Sequence, residues 1–316
     1  MRPPEWEEDT KAWPFDVIQR RDDRWERAID ALDPKSDAHA IVNLLANHVF
    51  PLDVFVATEL GQLRTFTIPS ITALLHATGQ YERDGTKRLD DTKAILVEIV
   101  GPGPRTPEGR EMIAHLQKIH GHYKISNDDY LLTLSVFVID PAQWIARHGW
   151  RPLRTNERDA LFNLYRAMGE EMGMRDLPDD YEGLQAWREA YERRARAYTP
   201  ENESVARGLL SAIAERLPKP VRGAVVPVVS AILLDDGVVE ALGLRRPSLG
   251  VRAAVGGLLA ARKRVLRHVT PWNEQRFWDT AFFKAYPSYP DGYERMRLGP
   301  KKVLDRMDKA SKTAGT

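Results

Sequence analysis

Apolar residues recur at helical spacing along most of this chain. In 37–50, Ile41, Leu44, Leu45 and Val49 share one face, and Pro51 ends the run. A second apolar segment, 52–63, leads to Ile68-Pro69-Ser70. There Ser70 is expected to cap a helix through Ile71, Leu74 and Leu75 that stops at Gly79. The pattern predicts a helix over 86–100, ended by the run GPGPRTP. Another starts near Pro107-Glu108 and carries Met112, Ile113, Leu116, Ile119, His120 and Tyr123 at helical spacing. In the turn ISNDD, Ser126 and Asn127 are the expected caps. Segment 130–139 is strongly apolar. It suits a strand through Val136, Val138 and Ile139, but its helical flanks favour a helix ending before Pro141. Helical signals continue over 141–148, 155–172, 181–198, 202–217, 221–234 and 251–269. No strand–helix alternation and no internal repeat interrupt them. The expectation is an all-α protein: a single large helical domain over 37–300, an N-terminal extension over 1–36 and a polar, fraying tail over 301–316. Trp6, Trp13, Phe15 and Trp25 argue that part of the extension docks on the body.

Charge narrows the partners. With 46 basic and 45 acidic side chains the net charge is +1, too balanced for the basic field of nucleic-acid binding. The longest apolar stretch, 223–234, is shorter than the ~20 residues a bilayer crossing needs. No transmembrane segment is expected. The start, MRPPEWEEDTKAWPFD, has no signal-type apolar core, so the expected location is cytoplasmic, with contact to membranes to collect an apolar substrate. There is no cysteine. Disulfides, thiolate zinc sites, protein-bound iron–sulfur clusters, thiolate-held or covalent c-type haem and a cysteine nucleophile are all excluded. Phosphate-loop, dinucleotide, GxSxG and HExxH fingerprints are absent too.

The remaining chemistry concentrates in two segments. Lys87 to Thr92 (KRLDDT) places Arg88 and Thr92 four apart on one helix face. Ile119 to Asp129 (IHGHYKISNDD) places His120 at the end of an apolar stripe. A cation, a hydroxyl and an imidazole on two helices able to pack together can hold an anionic, metal-bearing cofactor. His120 is either an axial ligand to haem iron or a hydrogen-bonded core histidine. His115, His120 and His122 are spaced five and two apart, which puts no two rings on one face and argues against a local zinc or non-haem iron site. Arg88 alternatively pairs with Asp84 or Asp91 on the helix surface. Asn127, Asp128 and Asp129 read as turn and capping chemistry before acid–base chemistry. Trp144, Trp150, Trp187, Tyr191 and Tyr198 read as core. The tyrosine-rich run from Tyr286 to Tyr293 is a turn-rich loop able to cover a pocket.

Taken in order, the segments resemble the MpaB-like oxygenase family, which includes the latex-clearing rubber oxygenases. The resemblance rests on Ile68-Pro69-Ser70-Ile71 with Leu74-Leu75, Thr78-Gly79-Gln80-Tyr81, Lys87-Arg88 with Asp91-Thr92, and Ile119-His120 with Tyr123. It continues through Ile125 to Asp129, Leu132-Thr133-Leu134, Pro141 with Trp144, Trp150-Arg151, Glu157, Gly169 with Met172, and Tyr191-Glu192. It covers 37–210 well and the C-terminal third only loosely. It implies an all-helical fold binding haem b, with dioxygen as co-substrate and oxidative cleavage of isoprenoid double bonds or related oxidations. His120 falls on the family's proximal iron ligand, and Arg88 and Thr92 fall on its Arg-x-x-x-Thr element across the haem. Where rubber oxygenases carry an iron-ligating lysine before that threonine, this chain has Asp91, which leaves the distal coordination open. The fungal members' membrane anchor finds no counterpart here.

The expected site is therefore His120 on iron, with Arg88, Thr92 and Asp91 as the catalytic group and Arg88 and Thr92 also contacting the cofactor. The second nitrogen of His120 is expected to donate to a carbonyl or carboxylate. The expected substrate is an apolar, unsaturated or prenylated small molecule, with an electron donor as a further candidate partner. Two other classes compete: a haem-binding carrier or sensor without turnover, and a helical interaction protein without a cofactor.

Overall fold

A helix that is apolar around most of its circumference must be buried around most of it. In the computed structural model, residues 131–139 form the middle of such a helix, with Leu131, Leu132, Leu134, Val136, Val138 and Ile139 nearly inaccessible. The structure describes residues 19–233, 235–270 and 276–314. Trp6, Trp13 and Phe15 lie outside them.

The chain is all-α. Around the central helix run α1 (Arg24–Asp30), α2 (Ala38–Leu44), α3 (Pro51–Thr65), α4 (Pro69–Thr78), α5 (Gln80–Val100) and α6 (Pro107–His120). The central helix itself is α7 (Asn127–His148). After it come α8 (Thr155–Glu171), α9 (Tyr181–Ala195), α10 (Pro200–Glu215), α11 (Val225–Ile232), α12 (Asp236–Ala241) and α13 (Leu249–Leu266). Two helices follow a looped return: α14 (Ala281–Lys284) and α15 (Lys301–Ala314). The described strand structure is one antiparallel pair, Gln19–Arg20 (β1) with Val269–Thr270 (β2). One core lies between α2, α5, α6, α7 and α8, and a second between α3, α5, α10, α11 and α12.

Several boundaries differ from expectation for local physical reasons. Helix α7 runs through Pro141, although proline removes a backbone donor from a helix. Packing on α3 and the neighbouring Asp140 hold it there: Asp140 accepts from Arg64 of α3 at 3.0 Å and from Arg188 of α9 at 2.8 Å. Ser70 is not a cap. Pro69 starts α4, and the Ser70 hydroxyl donates to Asp129 at 2.8 Å, which also accepts from Tyr191 at 2.9 Å. Ser126 does cap α7 through the Asp129 amide at 3.1 Å, while the Asn127 side chain clasps the backbone of Arg175. The expected 86–100 helix begins earlier, at Gln80, across a break at Asp84. The expected polar tail is helical over 301–314: it forms α15, with Val303 and Leu304 buried. Ordered core also precedes residue 37, because Ile29 of α1 is fully buried.

Trp25 stacks on His48 at 3.9 Å in the π-helical turn Leu45–Val49 between α2 and α3. Burial, helped by the charge of Arg276 and opposed by Asp279, lowers the His48 pKa to about 4 from an ordinary 6.5. The unfolded chain therefore takes up this proton first as pH falls. The stabilisation is complete above about pH 6.5 and is lost as pH drops through about 4. His48→Phe keeps a ring against Trp25 and should flatten that part of the profile, read as the change in thermal midpoint between pH 7 and pH 5.

Candidate functional site

Helices α5 and α6 pack against each other, and Thr106 starts α6 by accepting from the Gly109 amide at 3.1 Å. The apolar face of α6 buries Met112, Ile113 and Ile119. His120 is its last residue, so the imidazole leaves the core where the helix stops. It lines a cleft between α4, α5, α6 and the returning chain at Gly299-Pro300. Leu74, Leu75, Ile95, Leu116, Ile119 and Ile125 supply the apolar walls, and Arg88, His120 and Tyr123 the main polar groups. The cleft encloses about 110 Å³ and opens to solvent at its mouth. A second cleft between α3 and α7, bordered by Arg64, Asp140 and His148, contains none of the residues expected at the site.

Burial, reinforced by the charge of Arg88, lowers the His120 pKa to about 4. The ring is therefore neutral at neutral pH and keeps a free lone pair. Its Nδ1 is enclosed and has no hydrogen-bond partner among the described residues. This differs from the expected carbonyl or carboxylate partner. With Nδ1 enclosed, Nε2 is the nitrogen left to the cleft. Tyr130 lies tilted beside the ring at 5.5 Å. The other two histidines point elsewhere: His115 is buried and bonded to the Leu298 carbonyl at 2.8 Å, and His122 to the Lys118 carbonyl at 2.9 Å. Among the described residues no three His, Asp or Glu side chains are placed to share a metal ion.

Arg88 reaches the same cleft from α5 and forms no ion pair with a described carboxylate; the alternative pairing with Asp84 or Asp91 is not made. Its guanidinium contacts the Thr92 hydroxyl and lies over the Tyr81 ring at 5.3 Å. The Thr92 hydroxyl donates to the Arg88 carbonyl at 2.9 Å. Its one proton is thus committed, and its lone pair holds Arg88. Thr92 does not line the cleft.

Asp91 lines the cleft yet is buried and already engaged. Lys87 reaches it at 2.7 Å, and the Tyr289 hydroxyl donates to it. Lys87 also donates to Tyr289 at 3.1 Å and to the Gly299 carbonyl at 3.0 Å. The tyrosine-rich loop thereby clamps to the outer face of α5, which also carries Lys93 under Tyr286 at 3.9 Å and Glu98 accepting from Tyr293 at 3.0 Å. These partners are some 200 residues apart in sequence, and the density of Tyr, Pro and Gly in 286–300 is the one local sign of them.

Gly299 is where that clamp meets the site. Its φ of +123° is strained for any side chain, and an added Cβ would sit 2.7 Å from Ile119 Cδ1, beside His120. Gly299→Ala should destabilise by about 1–3 kcal/mol, seen as a lowered urea midpoint at an unchanged slope.

The fold and cleft define a helical protein with a largely apolar cleft lined by a neutral histidine and by an arginine that pairs with no described carboxylate. Its lineage is specific. The profile of the family described as "ER-bound oxygenase mpaB/B'/Rubber oxygenase, catalytic domain" matches residues 50–267, and the chain belongs to that family of oxidoreductases. ER-bound oxygenase mpaB' of Penicillium brevicompactum is 28% identical over 253 residues, 74% of this chain and 60% of the relative. ER-bound oxygenase mpaB of Penicillium roqueforti is 29% identical over 201 residues, 58% of this chain and 67% of the relative. The mpaB of Penicillium brevicompactum is 28% identical over 206 residues, 59% and 53%. The chain thus spans 60% of the length of the first relative.

These names overturn the cytoplasmic expectation. All three relatives are called ER-bound, which points to endoplasmic-reticulum association rather than a freely cytoplasmic protein. The expectation rested on segment lengths and the N-terminal composition, which report on spanning and not on surface attachment. No single described helix is long and apolar enough to cross a membrane. The bent pair Ala38–Val49 and Pro51–Thr65, at 106°, qualifies only when its members are counted together.

Proposed function

We propose that this chain is a haem b-dependent oxygenase acting with dioxygen on an apolar, unsaturated or prenylated small molecule, with oxidative C=C cleavage as the candidate outcome. One observation carries the proposal: a neutral imidazole whose enclosed Nδ1 has no hydrogen bond to a described residue ends in an apolar cleft beside an arginine that pairs with no described carboxylate. A core histidine is normally bonded, as His115 is, and a surface arginine needs no apolar cleft. Family membership supports the oxygenase class.

In this proposal His120 would hold the haem iron through Nε2. Nδ1 stays enclosed and carries the proton, so the tautomer is set by exclusion from the cleft rather than by a partner. Arg88 provides positive charge to anionic groups in the cleft, whether a propionate or oxygen-derived charge. Thr92 orients Arg88, since its own proton is bound to the backbone. Asp91 holds Lys87 and Tyr289 and so fixes the Gly299 wall, a positioning part rather than proton transfer. The apolar walls exclude water and accept a hydrocarbon chain. When bound, haem b supplies the electron chemistry of dioxygen activation.

The test is an absorption spectrum of the purified protein titrated with hemin, then reduced under carbon monoxide, followed by oxygen uptake with prenylated substrates. A saturable Soret band with uptake is expected. A protein that takes up no hemin overturns the proposal, and haem without uptake assigns it instead to a carrier or sensor.

A further inference from the structure

Ala254, Leu258, Ala261 and Val265 follow one another at intervals of four, three and four on α13, so they share one face. All four are exposed, Leu258 to 72% and Val265 to 57%, and Leu249 in the first turn is exposed to 84%. On an ordinary surface helix such a row is the side turned to the core. Here Val255, Leu259 and Leu266 are the more buried residues, α13 packs against α11 and α7, and the row is left uncovered. Single exposed apolar side chains need no explanation, but a helical row of them does.

The charge around it is one-sided. Residues 217–268 hold nine Lys and Arg against three Asp and Glu, in a chain whose net charge is +1. All three acids are paired: Asp235 with Arg64 and Arg196, Asp236 with Arg252, and Glu240 with Arg246. Arg245, just before α13, and Arg264 and Arg267, at its end, form no ion pair with a described residue. The helix thus combines an apolar row with unpaired cations near both ends.

We propose that α13 is a membrane-docking helix that lies in the headgroup layer of an anionic bilayer. Its row of Leu258 and Val265 would enter the acyl boundary, with Arg264 and Arg267 meeting lipid phosphates and carboxylates. Its own charges, Arg252, Arg262, Lys263 and Arg264, keep it from crossing. Charge selects a lipid surface over a second copy of the chain. Two copies meeting at this face would bring Arg264 and Arg267 against like charges, whereas anionic headgroups neutralise them. The argument rests on α13 alone and is independent of the cleft and its cofactor.

The experiment is co-sedimentation of the full chain with phosphatidylcholine vesicles, with and without about one-third phosphatidylserine. The unsubstituted chain should partition onto the anionic vesicles and be released by high salt. Leu258→Glu with Val265→Glu should weaken partitioning roughly tenfold or more, at an unchanged circular dichroism spectrum. Arg264→Gln with Arg267→Gln should abolish the preference for anionic lipid. Three outcomes overturn the proposal: no sedimentation with either vesicle, sedimentation that the substitutions do not change, or light scattering showing a dimer that Leu258→Glu converts to monomer.

Discussion

His120→Ala should abolish the Soret band of the hemin-titrated protein while leaving its fold and stability nearly intact. The two halves of this result come from the same geometry. His120 makes no hydrogen bond to a described residue, and its Nδ1 is enclosed without a partner. Removing it leaves no donor or acceptor orphaned and deletes one unsatisfied buried atom, so the stability change should stay within about 1 kcal/mol apart from lost packing. His115→Ala is the contrast. That ring is buried and bonded to the Leu298 carbonyl, so its loss should destabilise by about 2 kcal/mol or more, with the spectrum retained. Added imidazole should partly restore the band in His120→Ala, because the cleft opens to solvent and the vacated space admits the ring. A full-height, unshifted Soret band in His120→Ala would remove the ligand assignment.

The parts of this molecule legible in advance are those set by neighbours in sequence. The stripe of α6 that ends at His120, the Ser126 cap of α7 and the Gly79 stop of α4 are all decided within a turn or two, and Gly79 adopts the left-handed φ of 60° that the stop requires. What escaped depends on partners far along the chain. Ser70 has the right residue type for a cap but is taken by Asp129 of another helix. Pro141 has the right type for a stop, but the helix is held across it by α3 and α9 through Asp140. The same holds at the site. Arg88 and His120 were legible because each stands on a periodic helix facing the same cleft. The engagement of Asp91 was not, because Tyr289 and the Gly299 carbonyl reach α5 only after the chain has returned. Nor could spacing show that the Thr92 proton is spent on the backbone, a fact of rotamer rather than of pattern.

Arg88→Ala should cut the rate of substrate-dependent oxygen uptake by about 10²–10³ while haem remains bound. A cation that faces an apolar cleft without a carboxylate is poorly compensated in the free protein, and the Tyr81 face at 5.3 Å is a weak substitute. Such a charge has most to gain from negative charge that develops during the reaction. If Arg88 instead only anchored the cofactor, the substitution would weaken haem affinity and leave the rate at saturating haem unchanged, so occupancy and rate separate the two roles. Arg88→Lys restores charge but not the fork that meets Thr92, and should recover only part of the rate. Thr92→Val tests the link between them. It removes the oxygen that steadies the guanidinium without touching the cleft, so its loss should be smaller, on the order of tenfold, and should vanish in the Arg88→Ala background. Additive losses would mean that Thr92 acts on the bound molecule directly. The charge also has a signature without turnover: because Arg88 helps hold the His120 pKa down at about 4, the cofactor-free Arg88→Ala protein should titrate His120 at higher pH, as read by NMR of the imidazole.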